Sequence, residues 1–436
     1  MTGNLVPPLS SSINDYPPSL YAATAKGMVE RPRLGETLNA DVCVIGAGYT
    51  GLSAALHLAE QGLSVIVLEA ERTAWGASGR NGGQLHSGQR QDPFWLEDRL
   101  GKAEAQILWD LGEASKALVR DLIARFNIDC DYQSGLIHAV HRERDVGEEH
   151  DYAVRLRKHF GYDAIETLNK AEISEALGTD VFFGGWRDAE AGHLHPLNFA
   201  LGIANAAEAA GAKIFEQSRV QKIVEGPTKT IVTDNGSVRA ETVLLAGNGY
   251  MAGLAPDVDK RVLPINNFIL ATEPLPEERV HALIPGRECA ADSRFVINYW
   301  RITSDNRMLF GGGENCSPNF PEDIASFVRP HMLQLYPQLD DCRIDYAWGG
   351  TLAVTAHRVP FIKKVSPGIF AGLGYCGHGV GIATHTGKIL ADAIARGDTT
   401  LDAYAKLPLP AFPGGRLFRT PLLAAALFWY GLRDKI

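Results

Sequence analysis

The chain has 436 residues, 45% of them apolar and 21% charged, with a formal net charge of −9. That length exceeds what one hydrophobic core usually serves, so two domains are expected, and the composition is that of a globular protein rather than a disordered or membrane-embedded one. The acidic balance, broken only by a basic cluster at Arg155, Arg157, Lys158 and His159 that reads as a solvated helix face, argues against nucleic-acid binding.

Residues 1–37 are rich in Pro, Ser and Gly and read as an extended arm. DVCVIG at 41–46 is an apolar run suited to a buried parallel strand. GAGYTG at 46–51 follows, then LSAALHLAEQG at helical spacing, then a second buried strand, SVIVLE, at 64–69. This is a βαβ unit of dinucleotide-fold length. Helical spacing returns at 101–125 and 152–160, and PLNFALGIANAAEAAG at 196–211 predicts an amphipathic helix ending at glycine. Strand-like pieces follow at 213–215, 220–224 and 230–233, with Asn235-Gly236 as a hairpin turn. TVLLA at 242–246 is another buried strand, closed by GNG.

From 264 to 345 the pattern is short strand candidates between Pro, Gly and charged turns, with 293–301 and 307–313 as a hairpin pair. This predicts an antiparallel sheet distinct from the parallel one. A strand at 368–372, the glycines of GHGVG at 377–381 and a helix over 382–395 complete the body. The late apolar run PLLAAALFWY at 421–430 is shorter than the ~20 residues a membrane span needs, and reads as a terminal helix packed on the domain. An interfacial anchor or a subunit contact stays open for it. The six cysteines, Cys43, Cys130, Cys289, Cys316, Cys342 and Cys376, contain no CxxC pair, so no metal or dithiol centre is expected. The N-terminus lacks a basic-then-apolar signal pattern, and a reducing cytoplasm is the expected compartment.

The chemistry concentrates in three glycine-rich stretches. Gly46, Gly48 and Gly51 form GxGxxG between a strand and a helix, with Glu69 ending the next strand. Such glycines let backbone approach a pyrophosphate, the helix N-terminus favours negative charge, and the acid suits a ribose. GASGRNGGQ at 76–84 implies a cofactor reaching beyond one mononucleotide half. There Gly79, Gly82 and Gly83 would admit a flat ring, Arg80 would meet a pyrophosphate or ring edge, and Ser78 and Asn81 would add hydrogen bonds. In GHGVG the helix N-terminus would stabilise charge developing on a reduced ring, with His378 as the candidate catalytic residue.

DVCVIGAGYTGLSAAL, LEAERTAWGASGRNGGQ, VLLAGNG and GHGVGIATHTGKILAD resemble the D-amino-acid-oxidase-like flavoenzymes nearly end to end. Within them the chain is most similar to the gamma-glutamylputrescine oxidase group, through GASGRNGGQ, NYWRITSDNRMLFGGG and FPGGRLFRTPLLAAALFWYGLRDK. The resemblance implies an α/β fold: a Rossmann-like FAD-binding domain with a glutathione-reductase-like parallel sheet, and a second α+β substrate domain built on a mainly antiparallel sheet. The expected division assigns 38–92, 190–263 and 344–404 to the first domain, 93–189 and 264–343 to the second, and 405–436 to a C-terminal tail. It implies FAD contacts at Gly46, Gly48, Tyr49, Thr50, Gly51, Glu69 and Ala70, and at Ala77, Ser78, Gly79, Arg80, Asn81, Gly82, Gly83 and Gln84. Further contacts are implied at Val220, Ala246 and Gly247, and at Gly377, His378, Gly379, Val380 and Gly381. One branch of the family attaches its flavin through a cysteine shortly before a TxDxxP-like motif. Here that region reads GGTLAVTAHRVP, without cysteine and with His357 in place of the acid, so non-covalent FAD is expected.

The resemblance implies a γ-glutamyl amine, such as γ-glutamylputrescine, as the expected substrate and dioxygen as the expected electron acceptor. An amine must be neutral to release hydride, and an alkylamine with a pKa of ~10 needs a partly desolvated, aromatic pocket. Tyr250, Tyr299, Trp300, Trp348 and Tyr375 are the candidate walls, with His86 and Arg301 as carboxylate partners. An amino- or imino-acid oxidase and a membrane-surface FAD dehydrogenase remain alternatives, and oligomeric state stays open.

Overall fold

The computed structural model describes residues 16–413, apart from 252, 316 and 318. The apolar run at 421–430 lies outside these residues. Among the described residues no helix is long and apolar enough to cross a membrane.

The first sheet grows from the strand Thr37–Ile45, in which Val42, Cys43, Val44 and Ile45 are all buried. Strands covered on both faces need such continuous apolar runs, and Val65–Leu68 beside it is likewise buried throughout. The strand order is Phe361–Ser366, Ile369–Leu373, Ser237–Leu245, Thr37–Ile45, Val65–Leu68, Lys213–Phe215. The pairs from Ile369–Leu373 to Lys213–Phe215 are all parallel. Helices Tyr49–Glu60 and Gly379–Arg396 pack against each other, and Pro196–Ala209 packs on the first of them.

The second sheet has nine strands and is antiparallel except where Cys289–Asp292 runs parallel to Gln133–Val140. Its long strands Ile344–Val354, Leu263–Thr272 and Met308–Asn315 lie side by side. One face carries a separate core containing Phe268, Leu270, Trp300, Phe310 and Met332. The other face turns toward the first sheet and its glycine loops. The protein is therefore α/β, with one mainly parallel and one mainly antiparallel sheet.

Several elements differ from the sequence pattern. Of the hairpin expected at 293–301 and 307–313, only Tyr299–Ile302 pairs with Met308–Asn315. Before it the chain folds round Asp292, whose carboxylate accepts from the Asn298 backbone N–H at 3.0 Å and from the Asn298 amide at 2.9 Å. The strand Gly184–His193, GGWRDAEAGH, carries little β-propensity, and is held by antiparallel partners in Gln133–Val140 and Ile165–Leu168. The stretch before Thr37 is packed down at points rather than free: Tyr21 is fully buried and Arg31 pairs with Glu208 at 2.7 Å, while Met28 and Val29 stay exposed.

Candidate active site

The end of the first strand sets the site. Gly46 has φ +107°, and a Cβ there would stand 2.9 Å from the Ala246 carbonyl, so only glycine lets strand 237–245 come this close. Gly51 sits on the first turn of the next helix, where a Cβ would lie 1.9 Å from the Gly46 carbonyl oxygen. The helix therefore starts directly against the strand end. Its Tyr49 N–H donates to Ser78 Oγ at 3.0 Å, which ties the GASGRNGGQ loop to the helix N-terminus. The Glu69 carboxylate accepts from the backbone N–H groups of Ala47 at 2.8 Å and Glu71 at 3.0 Å. Burial raises its pKa.

A cavity of about 1040 Å³ runs between the two sheets. Gly46, Gly48, Tyr49, Thr50, Glu69 and Ala70 line it, as do Ala77, Ser78, Arg80, Asn81, Gly82 and Gln84. Val220, Ala246, Gly247, Gly377, His378, Gly379 and Val380 join them. The three glycine-rich stretches thus converge on one space. Gly51, Gly79, Gly83 and Gly381 are not on its wall. A Cβ on these last three would meet the Ala74 carbonyl at 2.3 Å, the Leu194 carbonyl at 2.0 Å and Ser115 Oγ at 2.7 Å, so they serve close packing behind the lining.

Arg80 is 5% exposed and reaches the cavity. Its Nε donates to the Trp75 carbonyl at 2.6 Å and Nη1 to the Gly349 carbonyl at 3.2 Å, while Nη2 has no partner. The guanidinium lies 3.8 Å from the Trp75 ring centre. Asn81 is committed to its own loop, with its amide donating to the Ala77 and Ser78 carbonyls and its carbonyl accepting from the Gly83 N–H.

His86 and His378 are stacked on the cavity wall, with ring centres 4.1 Å apart and planes 8° from parallel. Burial pushes His86 down to about 3, and burial with the neighbouring His86, Arg90 and Arg358 holds His378 well below its usual range. His378 Nδ1 has no partner. Tyr375 shares a 2.6 Å hydrogen bond with Thr50 Oγ1, and Tyr250 packs over Gly76.

The candidate substrate side chains divide by strand alternation. Tyr299 lines the cavity and donates through its hydroxyl to Asn267 Oδ1; a Cβ on Gly82 would stand 2.6 Å from its ring. Trp300, next in the strand, faces the opposite way, is fully buried, and donates to Tyr336 Oη at 2.9 Å, so it is a core residue and not a pocket wall. Arg301 returns to the inner face but lies beneath the loop. Its Nε donates to the Gly82 carbonyl at 3.0 Å and its Nη2 to the Leu194 carbonyl at 3.2 Å, and it does not reach the cavity. Trp348 is covered in the same way, donating to the Arg80 carbonyl at 2.9 Å. Of the expected substrate residues, His86, Tyr250, Tyr299 and Tyr375 line the cavity.

Polar groups that motif reading passed over also line it, among them Arg90, Asn267, Glu314 and Arg358. Cys376 lines it too, although its place in the sequence is 21 residues from Thr355. Its thiol accepts from the Thr355 N–H at 3.4 Å, and burial pushes its pKa up. For Asn267 and Glu314 the available sequence signal was a polar residue inside or at the end of an otherwise apolar strand, as in PINNFIL and GGGEN, whereas Arg90 and Arg358 lie in connecting segments without such a signal.

The profile described as DAO, FAD dependent oxidoreductase, matches residues 41–393. The chain belongs to the DAO family of FAD-dependent oxidoreductases. The gamma-glutamylputrescine oxidoreductase of Escherichia coli (strain K12) is 36% identical over 97% of this chain and 100% of its own length. A probable oxidoreductase OrdL of Rhizobium meliloti (strain 1021) is 38% identical over 96% of this chain and 97% of that one. Among solved structures, glycine oxidase from Geobacillus kaustophilus superposes with a TM-score of 0.71 at 21% identity, covering 83% of this chain and 96% of that chain. L-proline dehydrogenase from P. horikoshii superposes with a TM-score of 0.69 at 19% identity, covering 85% and 96%. These structural likenesses concern the fold.

The residues present fit the family's FAD. The cavity passes a helix N-terminus, the carboxylate of Glu69, and a buried guanidinium with an unpartnered nitrogen, which together suit ribose and phosphate groups. It continues to the N-terminus of Gly379–Arg396, where no side chain caps the helix.

Proposed function

We propose that this DAO-family enzyme is an amine oxidase acting on γ-glutamylputrescine or a related γ-glutamyl amine. The products would be an aldehyde, ammonia and hydrogen peroxide, from the amine, dioxygen and water. The observation that carries this reading is the likeness to the E. coli gamma-glutamylputrescine oxidoreductase along essentially the whole of both chains.

Bound FAD supplies the acceptor for a hydride from the carbon bearing the amine, and a route for the two electrons to dioxygen. Gly46, Gly48, Glu69, Ser78, Arg80 and Val220 would hold its nucleotide portion, and Gly377–Val380 its ring. The helix starting at Gly379 would offer its positive end to negative charge on the bound ring. The chain's own task is to deliver the amine neutral and oriented. Tyr299 and Tyr375 wall the cavity, and burial keeps both phenols protonated. His86 and His378 stay uncharged near neutral pH, so neither repels the substrate. His378 Nδ1 is free to hold the amine or the ring by a hydrogen bond, and positioning rather than a charged base then limits the rate. The substrate imine hydrolyses in water.

FAD would be held without a covalent bond in this reading, since among the described residues the cysteine lining the cavity, Cys376, is buried, protonated and engaged with Thr355. Acid precipitation should leave the colour in the supernatant.

The test is anaerobic mixing of the yellow protein with γ-glutamylputrescine, putrescine, sarcosine, proline or pipecolate. Fast bleaching by γ-glutamylputrescine alone is expected. Bleaching by an imino or N-methyl acid instead would overturn the substrate assignment and leave the family chemistry standing.

A further inference from the structure

The antiparallel sheet places a carboxylate and two guanidiniums around one part of the cavity. Asn267 and Glu314 are direct register partners on neighbouring strands, which puts their side chains on the same face. Ile265 and Ile269, two residues either side of Asn267, also line the cavity, as the period of a strand requires. Asn267 is anchored from the other side by the Tyr299 hydroxyl, so the Glu314–Asn267–Tyr299 row is fixed by the sheet.

Arg358 faces this row from the turn after Ile344–Val354. It has φ +54°, its N–H donates to the Thr355 carbonyl at 3.2 Å, and its guanidinium lies 4.4 Å from the Phe295 ring centre. Arg90 comes from a third segment. Its neighbour Gln91 donates to the His357 carbonyl at 3.0 Å, which binds the 86–92 stretch to the Arg358 turn. Among the described residues neither guanidinium is paired with a carboxylate. Burial and the nearby Arg358 push Arg90 down to about 10, and burial raises Glu314 against the pull of both arginines. Two cations and one anion that face a cavity without neutralising each other in contact leave room for a ligand carrying the opposite set.

We propose that Arg90, Arg358 and Glu314 recognise the α-amino-acid head of the substrate, the guanidiniums taking its carboxylate and Glu314 its ammonium. The assignment rests on the γ-glutamyl amine reading above and gives it a specificity-determining site. A substrate oxidised at its own α-carbon would not use Glu314 this way. Its reacting nitrogen must lose its charge, and a facing carboxylate would retain it.

The experiment uses the FAD-loaded full chain and three amines: γ-glutamylputrescine, the glutaryl amide of putrescine, which lacks the α-ammonium, and the 4-aminobutanoyl amide, which lacks the α-carboxylate. In the unmutated enzyme, half-saturation of anaerobic bleaching should rise ~10-fold or more for each truncated amine, a charge-assisted contact having been lost in each case. Glu314→Gln should raise half-saturation for γ-glutamylputrescine ~10-fold and leave that for the glutaryl amide unchanged. Arg358→Gln should do the same with the 4-aminobutanoyl amide as the insensitive substrate. Flavin content and melting temperature report whether each variant is folded, and the first comparison needs no variant. Equal half-saturation for all three amines, or variant losses that do not depend on the amine, would overturn the recognition site while γ-glutamylputrescine still bleaches the enzyme. Failure of γ-glutamylputrescine to bleach the unmutated enzyme overturns the functional reading itself.

Discussion

His86 and His378 lie face to face at 4.1 Å on the cavity wall, one from the end of the GASGRNGGQ loop region and one from the N-cap of the last long helix. Arg90, Arg358 and His138 are the titratable groups outside the pair that bear on it.

Burial of the two rings sets a pH dependence of stability. Each imidazole has a depressed pKa in the folded protein, His86 falling to about 3, against ~6.5 in an unfolded chain. Between these values the unfolded state binds more protons than the folded one. The contribution of His86 is therefore complete above pH ~6.5 and is lost as pH falls toward about 3, and His378, also depressed, acts in the same direction. Melting temperature of the FAD-loaded protein should drop between pH ~7 and ~5, and His86→Asn should make that drop shallower. An unchanged slope in the variant would remove His86 from the account.

Because His378 is uncharged at neutral pH, it should not set the pH profile of turnover. His378→Asn is expected to lower kcat by ~10- to 100-fold through lost positioning, while the rising limb of kcat/KM stays within ~0.3 pH unit of its original place. A limb that moves by a full unit would make His378 the titrating group.

Arg80 combines two carbonyl contacts with one free nitrogen. Lysine cannot fork in this way. Arg80→Lys should weaken FAD binding by ~10- to 100-fold, measured by recovery of flavin fluorescence on dilution, with a smaller change in the KM for the amine.

Gly51→Ala tests the strand–helix junction. Its new methyl group would meet backbone, which cannot rotate aside as a side chain would. The variant should melt several degrees lower, for a cost of ~1–3 kcal/mol, and be purified largely without flavin.

Tyr299 and Trp300 are adjacent in sequence and opposite in consequence. Tyr299→Phe should raise the KM for the amine several-fold, because the hydroxyl holding Asn267 is lost. Trp300→Phe should leave that KM unchanged and lower stability by ~1–2 kcal/mol, through its bond to Tyr336 and its packing against Phe310. A KM change in Trp300→Phe would contradict its place in the core.

The GxGxxG turn, Glu69 and the GHGVG helix start were legible because their geometry is local. A strand, a tight turn and a helix opening are consecutive in the chain, and glycine marks where backbones touch. The Gly184–His193 strand was not legible, since its residues do not favour a strand and only its sheet partners hold it there. The Tyr299, Trp300, Arg301 run was half legible. Alternation along a strand separates Trp300 from Tyr299, but nothing local says that Arg301 and Trp348 will be roofed by the loop around Gly82 and Arg80.

The sequence by itself determined the family, the parallel βαβ unit and most of the glycine-lined cavity wall, because short-range backbone sterics and apolar continuity write these into contiguous residues. Only the tertiary structure decided which charges share that cavity. Arg90, Glu314 and Arg358 come from three distant segments, and strand register together with the Gln91–His357 tie brings them to one cavity. Register is a property of paired strands, and no single segment carries it.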